Sequence, residues 1–290
     1  MTAVASLSAV TKRYRGVTAL DAVSIAVRQG EAVALLGPNG AGKTTALSLL
    51  LGLRRPDSGE ARLFGRDPRD RAARIALGVT PQASSFPPTL RLEEVVRLVA
   101  AHFRDPVAAD ELLERFGLFP LRRRQAGGLS AGEGRRLAVA LAFVGRPQAV
   151  VLDEPTGFLD VAARRQVWSE IRRYVAAGGT VLLTSHHLEE VEALAGRAVV
   201  LAAGRIVVEG TVPAIREFAG LTRIRLAFRP EQTPPGVVRS VADGSGAILF
   251  AAEPEQVLQS LVREGASLRG IEVRPASLEE AFLELTRREP

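Results

Sequence analysis

The chain has 290 residues, 47% apolar and 24% charged, enough for one large domain plus a small one and inconsistent with wholesale disorder. It contains no cysteine, which excludes a disulfide scaffold, a thiolate zinc site and a cysteine nucleophile. The formal charge of +6 rests on two lysines, Lys12 and Lys43, and 36 arginines, a bias that fits a GC-rich genome and by itself names no partner.

Met1–Ala9 carries neither a charged leader nor a long apolar core, so no signal peptide is expected. Val33–Leu36 is a short continuous apolar strand that runs into a glycine loop, and a helical pattern follows over Thr44–Leu51. This strand, loop and helix order suggests parallel α/β structure. Leu92–Phe103 and Asp110–Phe116 repeat apolar residues at spacings of three and four and are predicted as helices. The longest apolar run, Leu137–Gly145, lies between Arg136 and Arg146 and is far short of the ~18–20 residues of a membrane span. Ala149–Leu152 and Thr180–Leu183 are predicted buried strands, with a helix over Ala162–Ala176 between them. Near Gly220 the composition shifts. Ile224, Leu226 and Phe228 alternate with arginines as in a half-buried strand, and Asp243-Gly244-Ser245-Gly246 reads as a hairpin turn. A helix over Glu255–Glu264, a strand over Leu268–Val273 and a helix over Leu278–Arg287 complete the chain. Ser277 and Glu280 form a capping-box pattern on the last helix.

Two motifs carry chemistry. Gly37-Pro38-Asn39-Gly40-Ala41-Gly42-Lys43-Thr44 fits G-x-x-x-x-G-K-[ST] between an apolar strand and a helix, the context a phosphate loop requires. Its glycines let main-chain N–H groups turn onto phosphates, and the helix N-terminus adds partial positive charge. Lys43 is expected on the β- and γ-phosphates, Thr44 on Mg²⁺ and Thr45 near the α-phosphate. Further on, Val150-Val151-Leu152 ends in Asp153 and Glu154. In phosphate-loop enzymes such an aspartate holds Mg²⁺, and the glutamate after it is placed to act as general base on the attacking water.

Between these motifs lies Leu129-Ser130-Ala131-Gly132-Glu133, which resembles the LSGGQ signature of ATP-binding cassette (ABC) ATPases. Other motifs follow in family order: Gln82 resembles the Q-loop residue, Gly157-Phe158-Leu159-Asp160 the D-loop and His186 the switch histidine. Tyr14 lies where the family stacks an aromatic ring on adenine. Ser130 stands 23 residues before Asp153, a family-like spacing. Ala131, Glu133 and Phe158 depart from the pattern. The carboxylate of Glu133 is expected to turn away from the nucleotide.

The resemblance implies an α/β fold: a phosphate-loop NTPase core over 1–220, with a helical subdomain at about 83–147. The residue pattern over 221–290 reads as a small α+β accessory domain. The resemblance also implies ATP hydrolysis with Mg²⁺ held by Thr44, Asp153 and Gln82. Glu154, His186 and Gln82 are the implied catalytic residues. Tyr14, Gly37, Asn39, Gly40, Gly42, Lys43, Thr44, Thr45, Ser130, Gly132 and Asp160 are implied on the nucleotide. Head-to-tail homodimers would sandwich each ATP between Lys43 of one copy and Ser130 of the other. The segment from Val273 through Phe282 to Thr286 is similar to the drug-resistance and export type. That implies a motor for a separate transmembrane permease, on the cytoplasmic face of the membrane. A cassette ATPase acting on nucleic acid or ribosomes is the alternative. Residues 221–290 hold 9 arginines and 10 acids, so the added domain is no basic arm, and no nucleic acid is expected as partner.

Overall fold

The computed structural model describes residues 3–82, 84–185, 188–218, 221–230 and 232–276, without the side chains of 188 and 216–218. Two units meet between Glu209 and Gly210.

The first unit starts with β1 (Ala3–Tyr14), β2 (Val17–Arg28), β3 (Ala32–Leu36), α1 (Lys43–Leu50), β4 (Ser58–Leu63), α2 (Arg71–Arg74) and β5 (Leu77–Thr80). A helical stretch follows: α3 (Leu92–Ala100), α4 (Ala109–Arg115) and α5 (Ala131–Ala142). The chain then returns to alternating strands and helices with β6 (Ala149–Asp153), α6 (Val161–Ala176), β7 (Thr180–Thr184), α7 (Leu188–Leu194) and β8 (Arg197–Ala202). β9 (Arg205–Thr211) runs across the division.

Six strands form one sheet in the order β5-β6-β7-β3-β8-β9. The pairs β5–β6, β6–β7, β7–β3 and β3–β8 are all parallel. Every residue of β3 and of β7 is buried, which is why both read as continuous apolar runs rather than as alternating ones. The second sheet, β2-β1-β4, is antiparallel. Its long strands carry register shifts, with Ala9 and Ala22 at positive φ inside them. Such bulges break the alternation of side chains along a strand, and this sheet leaves little periodic signal in the sequence.

The helical stretch packs its apolar faces inward, α5 against α3, α4 and β5. Leu92, Leu112, Leu113, Phe116, Leu118, Leu137 and Val139 are fully buried. The rings of Phe116 and Phe143 lie 5.5 Å apart, and Phe143 meets Tyr174 of α6 edge-on at 5.2 Å.

The second unit contains α8 (Val212–Phe218), β10 (Thr222–Leu226), β11 (Val237–Asp243), β12 (Gly246–Ala251), α9 (Pro254–Arg263) and β13 (Glu272–Pro275). Its sheet has the order β11-β12-β10-β13 and is antiparallel throughout. Ile224, Leu226, Leu249, Val257 and Leu261 fill its core. The β11–β12 hairpin closes on the pair Asp243 and Gly246, where the turn is expected. The strand expected over Leu268–Val273 instead starts at Glu272. Ile271 N–H donates to Leu268 O at 3.3 Å, so the residues before it form a turn. The helix expected over Leu278–Arg287, with its Ser277 and Glu280 cap, lies outside the described residues.

Phe116 joins two helices through an aromatic contact in a site with no solvent exposure. Phe116→Ala is expected to lower the unfolding free energy by about 3–5 kcal/mol, read from urea denaturation followed by circular dichroism.

Candidate functional site

The phosphate-loop segment leaves the C-terminal end of β3 and enters α1. Gly37 is buried, whereas Pro38, Asn39 and Gly40 are exposed. Gly42 has φ +105°, and a Cβ there would stand 2.5 Å from the Ala19 carbonyl oxygen. Only glycine lets the loop close against β2 at this point. The loop wraps over Lys43, which is 8% exposed. Its Nζ donates to Gly37 O at 2.6 Å and to Pro38 O at 3.0 Å. Burial holds the Lys43 amine below the usual lysine range, opposed by the charges of Glu154 and Asp153. Thr44 is exposed and Thr45 half-buried at the start of α1.

Sheet order brings the acidic pair to this loop. β7 alone separates β3 from β6, and all three run in the same direction. Their C-terminal ends therefore lie side by side, the usual place for a ligand in an open α/β sheet. Asp153 pairs in register with Thr184 at the end of β7. The Thr184 hydroxyl donates to Asp153 Oδ1 at 2.5 Å and accepts from Glu154 N–H at 3.1 Å. Glu154 has φ +51°, in the left-handed region that costs an L-residue roughly 1–2 kcal/mol. Its N–H also lies 3.1 Å from Thr184 O, so β7 holds one side of this strained residue.

Arg135 of α5 holds the other side. Its Nε donates to Glu154 O at 3.2 Å, and Nη2 donates to the carbonyls of Glu154, at 3.0 Å, and of Asp153. Nη1 donates to Pro81 O at 2.6 Å and Gln82 O at 3.2 Å. Thus the main chain of Gln82 is fixed while the residue as a whole remains exposed.

Ser130 caps α5 in a reciprocal box. Its Oγ accepts from Glu133 N–H at 3.2 Å, and Glu133 Oε2 accepts from Ser130 N–H at 2.7 Å. Glu133 also pairs with Arg124 at 3.2 Å. The Ser130 N–H, foremost, keeps the Glu133 carboxyl below its ordinary pKa. A Cβ on Gly132 would lie 2.8 Å from Phe158 O, so glycine permits the close approach of α5 to the 157–160 turn. Phe158 itself is 84% exposed. Asp160 caps α6, accepting from Ala163 N–H at 2.8 Å. Gln82, Ser130, Arg135, Glu154, Gly157 and Phe158 line a cavity of about 590 Å³.

The fold thus gathers Lys43, Asp153 and Glu154 at the C-terminal ends of β3 and β6, one strand apart, and Gln82, Ser130 and Glu154 around one cavity. Tyr14 ends β1 on the antiparallel sheet, 38% exposed, with Lys12 Nζ 5.4 Å from its ring centre. His186 lies outside the described residues. Two residues of the site escape motif reading. Arg135 carried one signal: it falls at helical spacing with Ala138, Val139 and Ala142, so it lies on the buried face of α5. Thr184 reads only as the last residue of an apolar strand.

A family model described as ABC transporter matches residues 20–157. Nod factor export ATP-binding protein I of Burkholderia thailandensis is 38% identical over 97% of this chain and 96% of its own length. A daunorubicin resistance ATP-binding protein of Streptomyces coeruleorubidus is 36% identical over 96% of this chain and 93% of its own. Among solved structures, an ATP-binding subunit of an ABC transporter matches with a TM-score of 0.69 at 28% identity, over 75% of this chain and 93% of that one. A dimeric ATP-binding cassette in a post-hydrolysis state with ADP and Pi shares the fold, with a TM-score of 0.65 at 24% identity, over 71% of this chain and 98% of that one. With likeness of this extent along nearly the whole of both sequences, the chain belongs to the ABC transporter family and is one of its ATPase subunits.

Proposed function

We propose that the chain is the ATP-hydrolysing motor of an exporter, acting on a separate transmembrane permease from the cytoplasmic face of the membrane. The observation that carries the site assignment is the placing of Lys43 within the electrostatic reach of Asp153 and Glu154, at the same edge of the sheet. Export rests on the likeness to proteins named for Nod factor export and daunorubicin resistance. Among the described residues no helix is long and apolar enough to cross a membrane, and the proposal assigns the span to the permease. Two copies pair head to tail, a reading supported by the fold shared with a dimeric cassette.

In this reading each residue has a task. Gly37, Asn39, Gly40 and Gly42 shape the loop around the phosphates, and Lys43 moves from its loop carbonyls to phosphate oxygens. Thr45 meets the α-phosphate and Tyr14 stacks on adenine. Ser130 and Gly132, at the N-terminus of α5, face the γ-phosphate held by the other copy. Asp160 completes the contact between copies. Glu154 accepts a proton from water as the water oxygen bonds to the γ-phosphorus, and the bond to the β-bridging oxygen breaks, leaving ADP and phosphate. His186 senses the γ-phosphate.

Thr44, Asp153 and Gln82 supply only oxygen ligands for a metal, the set that a hard cation such as Mg²⁺ prefers. Such an ion would share its shell with substrate phosphates and water. When bound, Mg²⁺ would neutralise charge developing on the phosphate oxygens.

Glu154→Gln is expected to lower kcat by about 10²–10⁴-fold while ATP still binds, and to accumulate an ATP-bound dimer on size-exclusion chromatography. Wild-type turnover in that variant would remove Glu154 as the base. Lys43 gives a second test. Phosphate oxygens favour its charged form, so nucleotide binding takes up a proton wherever the free amine is partly neutral. ATP affinity therefore falls as pH rises through the lowered Lys43 pKa, and Lys43→Met binds weakly without that slope. Fluorescence titrations from pH 7 to about 10 read this. A slope that persists in Lys43→Met would assign it to another group.

A further inference from the structure

We infer that Arg135 is a positioning residue for hydrolysis: it holds the main chain of Glu154 in its reactive conformation and locks it to the segment around Gln82. The inference rests on Glu154 as the general base.

Arg135 is 7% exposed, and its guanidinium presents five N–H groups in a fixed plane. Five hydrogen bonds use them: two to Glu154 O and one each to the carbonyls of Asp153, Pro81 and Gln82. Each acceptor is a main-chain carbonyl. The carboxylates of Asp153 and Glu154 and the amide of Gln82 are therefore left to other partners, and what Arg135 fixes is the backbone from which they project. Glu154 sits at φ +51°, a conformation that persists only where its surroundings over-determine it. Thr184 holds its N–H, and Arg135 together with the Gly157 N–H, at 3.2 Å, holds its carbonyl, so the residue is gripped on both sides. Without the guanidinium, the carbonyl keeps the Gly157 N–H of its own turn but loses its tie to α5, and Glu154 relaxes toward ordinary backbone angles, carrying its carboxylate away from the attacking water. Pro81 and Gln82 share the clasp, so a shift in that segment is transmitted to Glu154 through one rigid group. Lysine, with three N–H donors on a flexible stem, cannot span the four carbonyls.

Purified full-length protein carrying Arg135→Gln, Arg135→Lys or Glu154→Gln tests this beside wild type. The readouts are kcat, the Kd of a fluorescent ATP analogue, thermal melting and trapping of an ATP-bound dimer. A misplaced catalytic group costs up to about 10²-fold, so Arg135→Gln should lower kcat by about 30–100-fold, with Kd within about threefold of wild type and an ATP-bound dimer trapped as in Glu154→Gln. Arg135→Lys should fall between, about 5–20-fold below wild type. A kcat within about twofold of wild type in either folded variant overturns the inference, and so does a parallel loss of kcat and ATP affinity, the mark of a merely structural role. If Arg135→Gln does not fold, Arg135→Lys carries the same split. Turnover at the wild-type rate in Glu154→Gln overturns the base assignment and this inference with it; an inactive Glu154→Gln beside active Arg135 variants overturns the inference alone.

Discussion

The insertion of β7 between β3 and β6 is the constraint on which the site depends. The strand order separates segments that are adjacent in sequence and joins segments more than a hundred residues apart. Parallel pairing then sets all three C-terminal ends on one edge, where the loop that follows β3 meets the acids that end β6. The β7 end does more than space them. Thr184 bonds to both Asp153 and Glu154, so the strand that creates the gap also sets the acids within it. An antiparallel partner in the place of β7 would put a chain reversal where Thr184 now stands.

Two buried cations at this edge are held in different ways. Lys43 is buried beside two carboxylates but spends its hydrogen bonds on the loop's own carbonyls. Burial disfavours its charge while the acids favour it. A polyphosphate offers the amine better acceptors and cancels the desolvation term. Arg135 is the opposite case. Its charge is also buried, but every N–H is engaged, so the protein holds it in one arrangement. One cation is poised to exchange partners and the other to stay fixed.

What the sequence made legible follows from the range of the interactions. The phosphate loop and the acidic strand end are local patterns in which a few neighbouring residues determine geometry, and the first unit forms both. Three of the parallel strands, β3, β6 and β7, were readable because burial on both faces writes a continuous apolar run. The β1, β2 and β4 sheet was not, because bulges at Ala9 and Ala22 break the alternation that would announce it. The start of β13 was misplaced because its pairing is set by β10, about fifty residues earlier, rather than by local propensity. Arg135 is the clearest omission. Its helical spacing marks the buried face of α5, but its partners lie at residues 81–82 and 153–154, and nothing near it in sequence names them.

α5 joins these separate observations. Ser130 caps it, Gly132 lets its first turn meet the Phe158 carbonyl, and Arg135 grips the acidic strand end about 7.5 Å further along the axis, at 1.5 Å per residue. A helix does not bend easily over one and a half turns, so these contacts move together. Leu137 and Val139 of α5 are fully buried, α5 contacts α3 and α4, and Phe143 at its C-terminal end carries the Phe116 and Tyr174 ring contacts. A tilt of the helical stretch is therefore not absorbed within it. It shifts the Ser130 end and the Arg135 clasp at once, and through the clasp the strained backbone of Glu154. This makes the geometry of the proposed base depend on packing in a region that contributes no acid or base of its own.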